Sequence, residues 1–178
     1  MTQFAQTSLV LDHQVDHRNW RHFLNGHQVV LHCHHYAALF TQLADDCELV
    51  DGKKLLRDSA EDAFYPLLTD IYTQQNVQAI ADRIALGQDL FAALGLGRLT
   101  IHCAGVDSGE ASMSSSHIDQ AWLRKWGQRP MPVNFVGQGY LAALFAAVYG
   151  RPVRSYTVNE YASIVAGAEQ SLFAVVAA

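Results

Sequence analysis

The segment from Pro132 to Tyr149 constrains the fold of this chain more than any other. Its second half, Tyr140 to Tyr149, is a run of ten apolar residues. A membrane-spanning helix needs about 20 such residues, so this run has to be buried inside the protein. Gly150 follows directly and Pro152 comes two residues later, a combination that predicts a helix ending at Tyr149. Small residues recur at every fourth position of this helix: Gly139, Ala143 and Ala147. They predict a ridge against which another helix or a strand can pack closely.

The composition is typical of one packed domain. The chain has 178 residues, of which 50% are apolar and only 16% are charged, so a large share of it must be buried. Its 12 Lys and Arg residues and 17 Asp and Glu residues give a net charge of −5, and no basic cluster occurs. We therefore expect no nucleic-acid partner, because a surface that follows phosphates needs clustered positive charge.

The cysteines and the N-terminus predict a cellular compartment. Cys33, Cys47 and Cys103 cannot all pair with one another, and no Cys-x-x-Cys motif occurs, so neither a disulfide framework nor a zinc ribbon is predicted. Met1 to Leu11 lack the basic start and the apolar stretch of a signal peptide. We expect a soluble, cytoplasmic protein without a membrane span.

The first part of the chain is predicted to contain an arm, a hairpin and a helix. Residues 1–18 are polar with isolated apolar positions, and we interpret them as an N-terminal arm that precedes a single ligand-binding domain over residues 19–178. Alternation up to Asn25-Gly26 and again after it predicts a small β-hairpin, with a helix from about His27 as the alternative. Apolar residues then recur at helical spacing: Tyr36, Leu39, Phe40 and Leu43.

Two longer helices and a β-hairpin are predicted next. One apolar stripe runs from Leu56 to Ile71, and Pro66 within it is expected to kink or split the helix. A second stripe runs from Val77 to Leu94. Alternation then begins at Leu99, which predicts a strand and its hairpin partner.

The remaining elements complete the predicted fold class. Ser116 and Asp119 resemble a capping box that begins a short helix ending near Trp126. The tail predicts a three-stranded meander at about 153–158, 161–166 and 171–176. This grouping of helices and strands predicts an α+β fold in which a helical layer packs on one face of an antiparallel sheet.

Histidine is unusually dense in the first 35 residues, where His32, Cys33, His34 and His35 are consecutive. A helical run would place His32 and His35 on one face, and an extended run would place His32 and His34 on one face. Either geometry supplies two metal ligands, which are too few without a third residue from elsewhere. The candidates for that third ligand are His22, His27, His102 and Glu160. Because no recognised ligand spacing is present, we favour the alternative that the histidines line a pocket wall or bond to the backbone.

The candidate ligand-binding residues come from four parts of the chain. His102 lies on the polar face of a predicted strand, where it is either a pocket base or an exposed residue. Glu160 lies between two apolar predicted strands, where a carboxyl group is costly unless it is paired or at the sheet edge, so it is either a ligand-facing acid or a solvent-facing turn residue. Aromatic rings near the apolar helix could form the floor of a cavity, although core packing explains them as well. The full set is His32, His35, Tyr36, His102, Trp126, Phe135, Tyr140 and Glu160.

The last third of the chain carries a spaced motif. Gly139 to Ala142 begin the apolar helix, and Gly150 to Val153 form a Gly-Arg-Pro-Val turn. Glu160, Ser163, Gly167, Ser171 and Phe173 then follow at defined intervals. In spacing, these residues resemble the 4-vinyl reductase domain, also called the hydrocarbon-binding domain, which has Glu-x-x-Cys-x-x-x-Gly-x-x-x-Cys-x-Phe. Both cysteine positions of that pattern are serine here.

The resemblance implies a fold and a function. It implies the fold shared with the TRAPP trafficking subunits, a helical layer over a twisted antiparallel sheet, in a protein that is often a homodimer. It also implies a cavity for a small apolar or tetrapyrrole-like molecule in a sensor or accessory protein. In the family the two cysteines are associated with metal binding, and hydroxyl groups are poor zinc ligands, so we predict no metal at Ser163 and Ser171.

Three functions are compatible with the sequence. The first is a small-molecule-binding module, which explains the low charge and the abundant aromatic residues. The second is an enzyme, such as a hydrolase or a tetrapyrrole-modifying protein, with His32, His35, His102 or Glu160 as acid–base groups. The third is an assembly subunit with an apolar dimer face. We take the first as the main hypothesis; it requires a water-poor chamber between the C-terminal elements and the earlier helices. The sequence identifies no cofactor.

Overall fold

The structure, a computed structural model, describes residues 8–30 and 33–178 and confirms the predicted α+β fold. Its helices are α1 (His34–Asp45), α2 (Gly52–Gln74), α3 (Ile80–Ala93), α4 (His117–Trp126) and α5 (Phe135–Tyr149). Its strands are β1 (His13–Asp16), β2 (Arg21–Leu24), β3 (His27–Val29), β4 (Gly97–Ala104), β5 (Ser108–Ser116), β6 (Tyr156–Ala162) and β7 (Ser171–Ala177). Helix α5 packs against α2 and also against β6 and β7 of the larger sheet.

Both sheets are antiparallel. The small sheet has the order β1-β2-β3, and the larger sheet has the order β4-β5-β7-β6. The predicted hairpin around Asn25-Gly26 is present as β2 and β3, and the hairpin that begins at Leu99 is present as β4 and β5. Strand β7 pairs with β5 on one side and with β6 on the other, which brings the C-terminus into the middle of the sheet.

Helix α5 is buried along almost its whole length, as its apolar sequence predicts. The Asn134 side chain accepts a hydrogen bond from the Gly137 amide and begins the helix, and Gly150 ends it in the left-handed conformation. At Gly139 a Cβ atom would lie 2.2 Å from the carbonyl oxygen of Arg57 in α2. Glycine is therefore required there, and the predicted ridge of small residues is the face on which α2 packs.

Two predictions about chain breaks are corrected by the structure. Pro66 does not split its helix, because α2 continues as one helix through it. The tail has two strands instead of three, since the chain forms a 3₁₀ turn at Ile164–Ala166 after β6. The turn is closed by the left-handed Gly167 and by a hydrogen bond from the Ile164 amide to the Ser171 hydroxyl, 3.1 Å long. These contacts turn the chain directly into β7 and leave no extended middle segment.

The N-terminal region is more ordered than an arm. Part of the segment predicted as an arm forms β1, and Leu9 and Leu11 pack against the main core. The helix that follows shows a further difference, because the apolar residues that mark its spacing are exposed. They are Tyr36, Leu39, Phe40 and Leu43. Helix α1 instead buries its small residues, Ala37, Ala38 and Thr41.

The buried apolar residues form two clusters. The larger one fills the space between α2, α3, α5 and the larger sheet, and the smaller one lies around Trp122 of α4 and Ala38 of α1. No helix among residues 8–30 and 33–178 combines the length and the apolar character that crossing a membrane requires.

Candidate functional site

A narrow apolar crevice lies between α3, β4 and the C-terminal half of α5. The crevice is closed in this structure and leaves no room even for a water molecule, so the chamber that the binding hypothesis requires is not open here. Apart from the ring of Tyr149, every side chain that lines it is aliphatic or a phenylalanine: Ile84, Ile101, Ala104, Leu144, Phe145 and Val148. A guest could enter only if α3 and α5 moved apart, and apolar walls of this kind favour an apolar guest over water.

The crevice owes its shape to close contacts between α3 and its neighbours. A Cβ atom on Gly87 would lie 2.3 Å from Leu144, so this glycine lets α3 rest directly on α5. Tyr140 lies one helical turn before Leu144 on α5. Its hydroxyl donates a hydrogen bond of 2.5 Å to the Gly87 carbonyl oxygen. The Gln88 side-chain oxygen accepts a 2.7 Å hydrogen bond from the Ile101 amide and ties α3 to β4. These polar bonds hold the walls while the lining itself remains apolar.

A second unusual site lies at the other end of α5, and we call it the acid cluster. Its two carboxyl groups belong to Asp119 and Glu160, which are 0% and 5% exposed. Asn134 is its central donor, and its amide nitrogen lies 3.2 Å from Asp119 Oδ2 and 2.9 Å from the Ser116 hydroxyl. The other members are Ser163, Ser171 and Gln138, which are also buried. The cluster therefore joins the start of α4, the start of α5, β6 and β7.

The acid cluster has more oxygen atoms than hydrogen-bond partners. Asp119 Oδ1, both carboxyl oxygens of Glu160 and the Ser163 hydroxyl are buried without a partner of good geometry. Burial raises the pKa of Asp119 to about 6. Burial, with a smaller effect of the negative charge of Asp119, raises the pKa of Glu160 to about 7. Both carboxyl groups therefore tend to keep a proton in conditions where an exposed carboxyl group is ionised.

The acid cluster does not fit the metal that the resembling family implies. The serine hydroxyls at Ser163 and Ser171 replace two thiolates, and a neutral hydroxyl is a poor ligand for zinc. Within the described residues, no group of three or more His, Cys, Asp or Glu side chains has an arrangement that could hold a metal ion. We derive no chemistry through a metal at this site.

The structure does not bring the residues predicted from sequence to one place. Tyr140 and Phe135 are buried in α5, and Glu160 lies in the acid cluster. His102 is on the exposed face of β4, where its Nε2 atom lies 2.8 Å from the Ser112 hydroxyl. Trp126 is partly exposed and lies against another tryptophan at the end of α4.

The candidates in and before α1 are the most distant from the core. His35 and Tyr36 are exposed on α1, and His35 lines a surface cleft with Arg124 and Lys125. His32 lies outside the described residues. The predicted candidates thus remain separate predictions and do not form one cavity.

Sequence reasoning missed the crevice and half of the acid cluster. The lining residues of the crevice are ordinary apolar residues of predicted helices and strands, and nothing in their spacing separates a cavity wall from a packed core. The sequence marks Asp119 through the capping box that begins at Ser116, but this pattern does not show that its carboxyl group is buried near Glu160. The cap is real, because the Ser116 hydroxyl accepts from the Asp119 amide. The Asp119 carboxyl group nevertheless points to other partners.

Comparison with known proteins supports the fold. No family model and no curated protein matches this sequence. Among solved structures, the chain is similar to the phenol-responsive sensory domain of the transcription activator PoxR with phenol. That match has a TM-score of 0.76 and 16% identity and covers 93% of this chain and 84% of that chain. At this identity the likeness shows a common fold.

The chain is also similar to a trafficking protein particle complex subunit 3 from Naegleria fowleri, covalently bound to palmitic acid. The TM-score is 0.54 and the identity 12%, with 80% of this chain and 90% of that chain covered. The relation to the trafficking-subunit fold, expected from the sequence motif, is thereby confirmed at the level of the fold.

Proposed function

We propose that this chain is a small-molecule-binding sensor domain that holds one apolar molecule of single-ring size between α3, β4 and α5. The observation that carries the proposal is the almost wholly apolar lining of the closed crevice between these three elements. Burial of apolar surface contributes about 25 cal/mol for each Å² removed from water. A single aromatic ring can therefore gain useful affinity from such walls without any charged contact.

The fold neighbours support the ligand class. One of them is a phenol-responsive sensory domain solved with phenol, and the other carries palmitic acid, so both hold apolar organic groups. We propose phenol-like monocyclic aromatics as the first ligands to test. Membership of the 4-vinyl reductase family and a cytoplasmic location are parts of the same proposal.

The predicted ligand-binding set is reduced accordingly. Tyr140 is retained as a support of the crevice, since its hydroxyl anchors Gly87 of α3. His35, His102 and Glu160, which the enzymatic hypothesis used as acid–base groups, lie on three different elements, α1, β4 and β6. No single pocket of the described structure gathers them, and we favour binding over catalysis.

A binding experiment with a matched control tests the proposal. Ile84 lines the crevice, whereas Ile80, one turn earlier on the same helix, is 48% exposed. Calorimetric titration with phenol and with benzene should show one binding site in the wild type and in Ile80→Phe. In Ile84→Phe the new ring fills the crevice, so we expect affinity at least about tenfold weaker, which is ~1.4 kcal/mol. Equal affinity in all three proteins, or no binding to the wild type, would contradict the proposal.

A homodimer is a second part of the proposal, and the exposed face of α1 favours it. Four large apolar side chains, Tyr36, Leu39, Phe40 and Leu43, are between 42% and 58% exposed on this one helix. Contiguous exposed apolar side chains of this kind mark interaction surfaces more often than single ones do. We propose that a second copy of this chain covers them.

A further inference from the structure

The acid cluster is the buried feature that the proposed binding function does not use. It lies at the N-terminal end of α5, whereas the crevice lies at the C-terminal end. Its carboxyl groups come from elements that are distant in sequence, Asp119 from α4 and Glu160 from β6. A partner that satisfies the hydrogen bonding of both carboxyl groups therefore also holds α4 and β6 together.

The donors closest to Glu160 are the hydroxyls of Ser163 and Ser171 and the amide of Gln138, but none of them has good hydrogen-bond geometry to its carboxyl oxygens. Asn134 uses its amide nitrogen on Asp119 Oδ2 and on Ser116, and its oxygen on the Gly137 amide. Ser171 accepts from the Ile164 amide. Four buried oxygens, of Asp119, Glu160 and Ser163, remain without a partner of good geometry. A buried ionised carboxylate without a partner is costly, and one proton converts an acceptor into a donor for its neighbour.

In the described part of the structure, no lysine or arginine is among the groups that act on the two carboxyls. Among the described groups, the charge that acts on Glu160 is that of Asp119, and the other groups close to the two carboxyls are hydroxyls and side-chain amides. The charged side chains of α2 and of the segment before β6 line an open cleft beyond Gln138: Lys54, Arg57, Asp58, Glu61 and Arg154. Those of α1 and α4 line a second surface cleft: His34, His35, Arg124 and Lys125. His102 contacts Ser112 on β5, and His117 begins α4 two residues before Asp119.

The chemistry of the donors also argues against a metal ion of the kind that the resembling family implies. Without thiolate or imidazole groups in the cluster, zinc has only two carboxylates and neutral oxygens to bind, and it prefers sulfur and nitrogen ligands. A proton needs no such ligand set, because burial and a nearby negative charge are enough to keep it on a carboxyl group.

We propose that the acid cluster is a proton-binding joint, in which at least one of Asp119 and Glu160 stays protonated and the cluster links α4 to β6 in place of a thiolate-bound metal. The proton relieves the repulsion between the two carboxyl groups and lets the protonated group donate to a buried oxygen. Gln138 lies between the cluster and the open cleft on the α2 side, a position through which solvent can exchange that proton. Loss of the proton at higher pH leaves two negative charges in the joint and loosens it.

The direction of the pH effect follows from the raised pKa values. Because the pKa is about 6 for Asp119 and about 7 for Glu160, the native protein binds more protons than the unfolded chain between about pH 4 and about pH 7. The stabilisation of the native protein by these protons is complete at a pH below the pKa values that the two carboxyl groups have in the unfolded chain. It is lost as the pH rises through the pKa values that they have in the native protein. Stability must therefore fall, not rise, across this range.

Thermal unfolding at constant ionic strength, from about pH 5 to about pH 8, tests the joint. The variants are Glu160→Gln and Asp119→Asn, which keep the shape and remove the charge. Glu110→Gln is the matched control, since Glu110 is an exposed glutamate on β5 of the same sheet, and His117→Gln controls for the adjacent imidazole. We expect the wild type and both controls to lose about 5 °C in Tm towards pH 8, and the two cluster variants to lose much less.

Several outcomes decide the proposal. A wild-type Tm that is flat or rises over this pH range, or a Glu160→Gln profile parallel to that of the wild type, would overturn it. A metal ion that copurifies in equal amount with the chain, with a Tm lowered by EDTA, would overturn it in favour of a cation site. Should a cluster variant fail to fold, the wild-type pH profile and infrared detection of a protonated carboxyl group near neutral pH still decide.

A second experiment reverses the substitution that separates this chain from the family pattern. The double variant Ser163→Cys with Ser171→Cys places two thiols beside Glu160. We expect the folded double variant to bind one Zn²⁺ per chain and the wild type to bind none, as measured by elemental analysis after dialysis. Zinc binding by the wild type, or a folded double variant that takes up none, would contradict the claim that a proton here stands in place of a metal.

Discussion

The two ends of α5 differ sharply in chemistry, although both are buried by the same neighbouring layers. Asn134 and Gln138 bring hydrogen-bonding groups into the acid cluster, whereas Leu144 and Phe145 bring apolar surface to the crevice. Between residues 138 and 145 the helix rises only about 10 Å. One helix can therefore contribute to a site that responds to protons, the acid cluster, at one end and to a site for apolar molecules, the crevice, at the other. We expect a change of pH to leave the crevice unaffected and an apolar ligand to leave the acid cluster unaffected.

Leu144→Ala is the change expected to have the largest effect, because it enlarges the apolar end. Leu144 is 1% exposed and contacts α3 at Gly87, so its removal leaves a cavity. We expect a loss of about 3 kcal/mol in the free energy of unfolding, measured by urea denaturation. Saturating benzene should restore part of this loss, and the loss should be the same at about pH 5 and about pH 8. Leu55→Ala, at an exposed position of α2, is the control.

If benzene fails to stabilise Leu144→Ala, or if the loss in the free energy of unfolding depends on pH, the crevice is not an apolar site that is independent of the acid cluster.

Asn134→Ala is the corresponding change at the polar end and is expected to cost about 2 kcal/mol, because it removes a helix cap and the donor to Asp119. The Asn134 amide lowers the pKa of Asp119 against the larger opposite effect of burial. Its removal must therefore cost more when Asp119 is ionised, so the loss should grow as the pH rises through about 6. Urea denaturation at two pH values measures this growth.

The companion variant Asn134→Ser keeps a capping oxygen and should recover the part of the loss that belongs to the cap. A loss that shrinks as the pH rises would refute the assigned role of Asn134.

Gln88→Ala should have a smaller effect, about 1 kcal/mol, because it removes one hydrogen bond between α3 and β4 at the rim of the crevice. Gln88→Glu keeps the accepting oxygen and is the matched control. Chemical denaturation measures the loss, and calorimetry should show weaker phenol binding to the alanine variant. Unchanged stability in Gln88→Ala would mean that this bond does not hold the crevice wall.

Phe40→Ser together with Leu43→Ser should have the smallest effect on stability, within about 0.5 kcal/mol, since both side chains are 58% exposed. The effect on association should be clear, because the proposed dimer face loses two of its large apolar residues. Sedimentation velocity should show a dimer for the wild type and a monomer for the variant. A monomeric wild type would remove the homodimer from the proposal.

The sequence predicts the framework well where local signals and burial agree. Helix α5 follows from its apolar run, its small-residue ridge and Gly150, and the Ser116 cap of α4 follows from a capping box. The composition of residues 161–166 predicts a strand, but residues 161 and 162 end β6 and residues 164–166 form the 3₁₀ turn. That turn depends on Gly167 and on the Ser171 contact, which is a tertiary effect.

The sites were harder to predict, because they depend on which residues meet across the fold. Glu160 was singled out correctly as a costly carboxyl group among apolar neighbours, but its partner Asp119 lies 41 positions earlier and was explained by its cap. Exposed Tyr36 shows the opposite error, since helical spacing identifies an apolar stripe and does not say whether the core or a second molecule covers it.

The most direct test of the central claim is a crystal structure of this protein soaked with bromobenzene, using the anomalous signal of bromine to locate the ring. We expect one bromine peak between α3, β4 and α5, close to Ile84, Ile101 and Leu144. This peak should be absent in Ile84→Phe. A peak elsewhere in the molecule that persists in Ile84→Phe, or a crevice that stays closed at saturating bromobenzene, would contradict it.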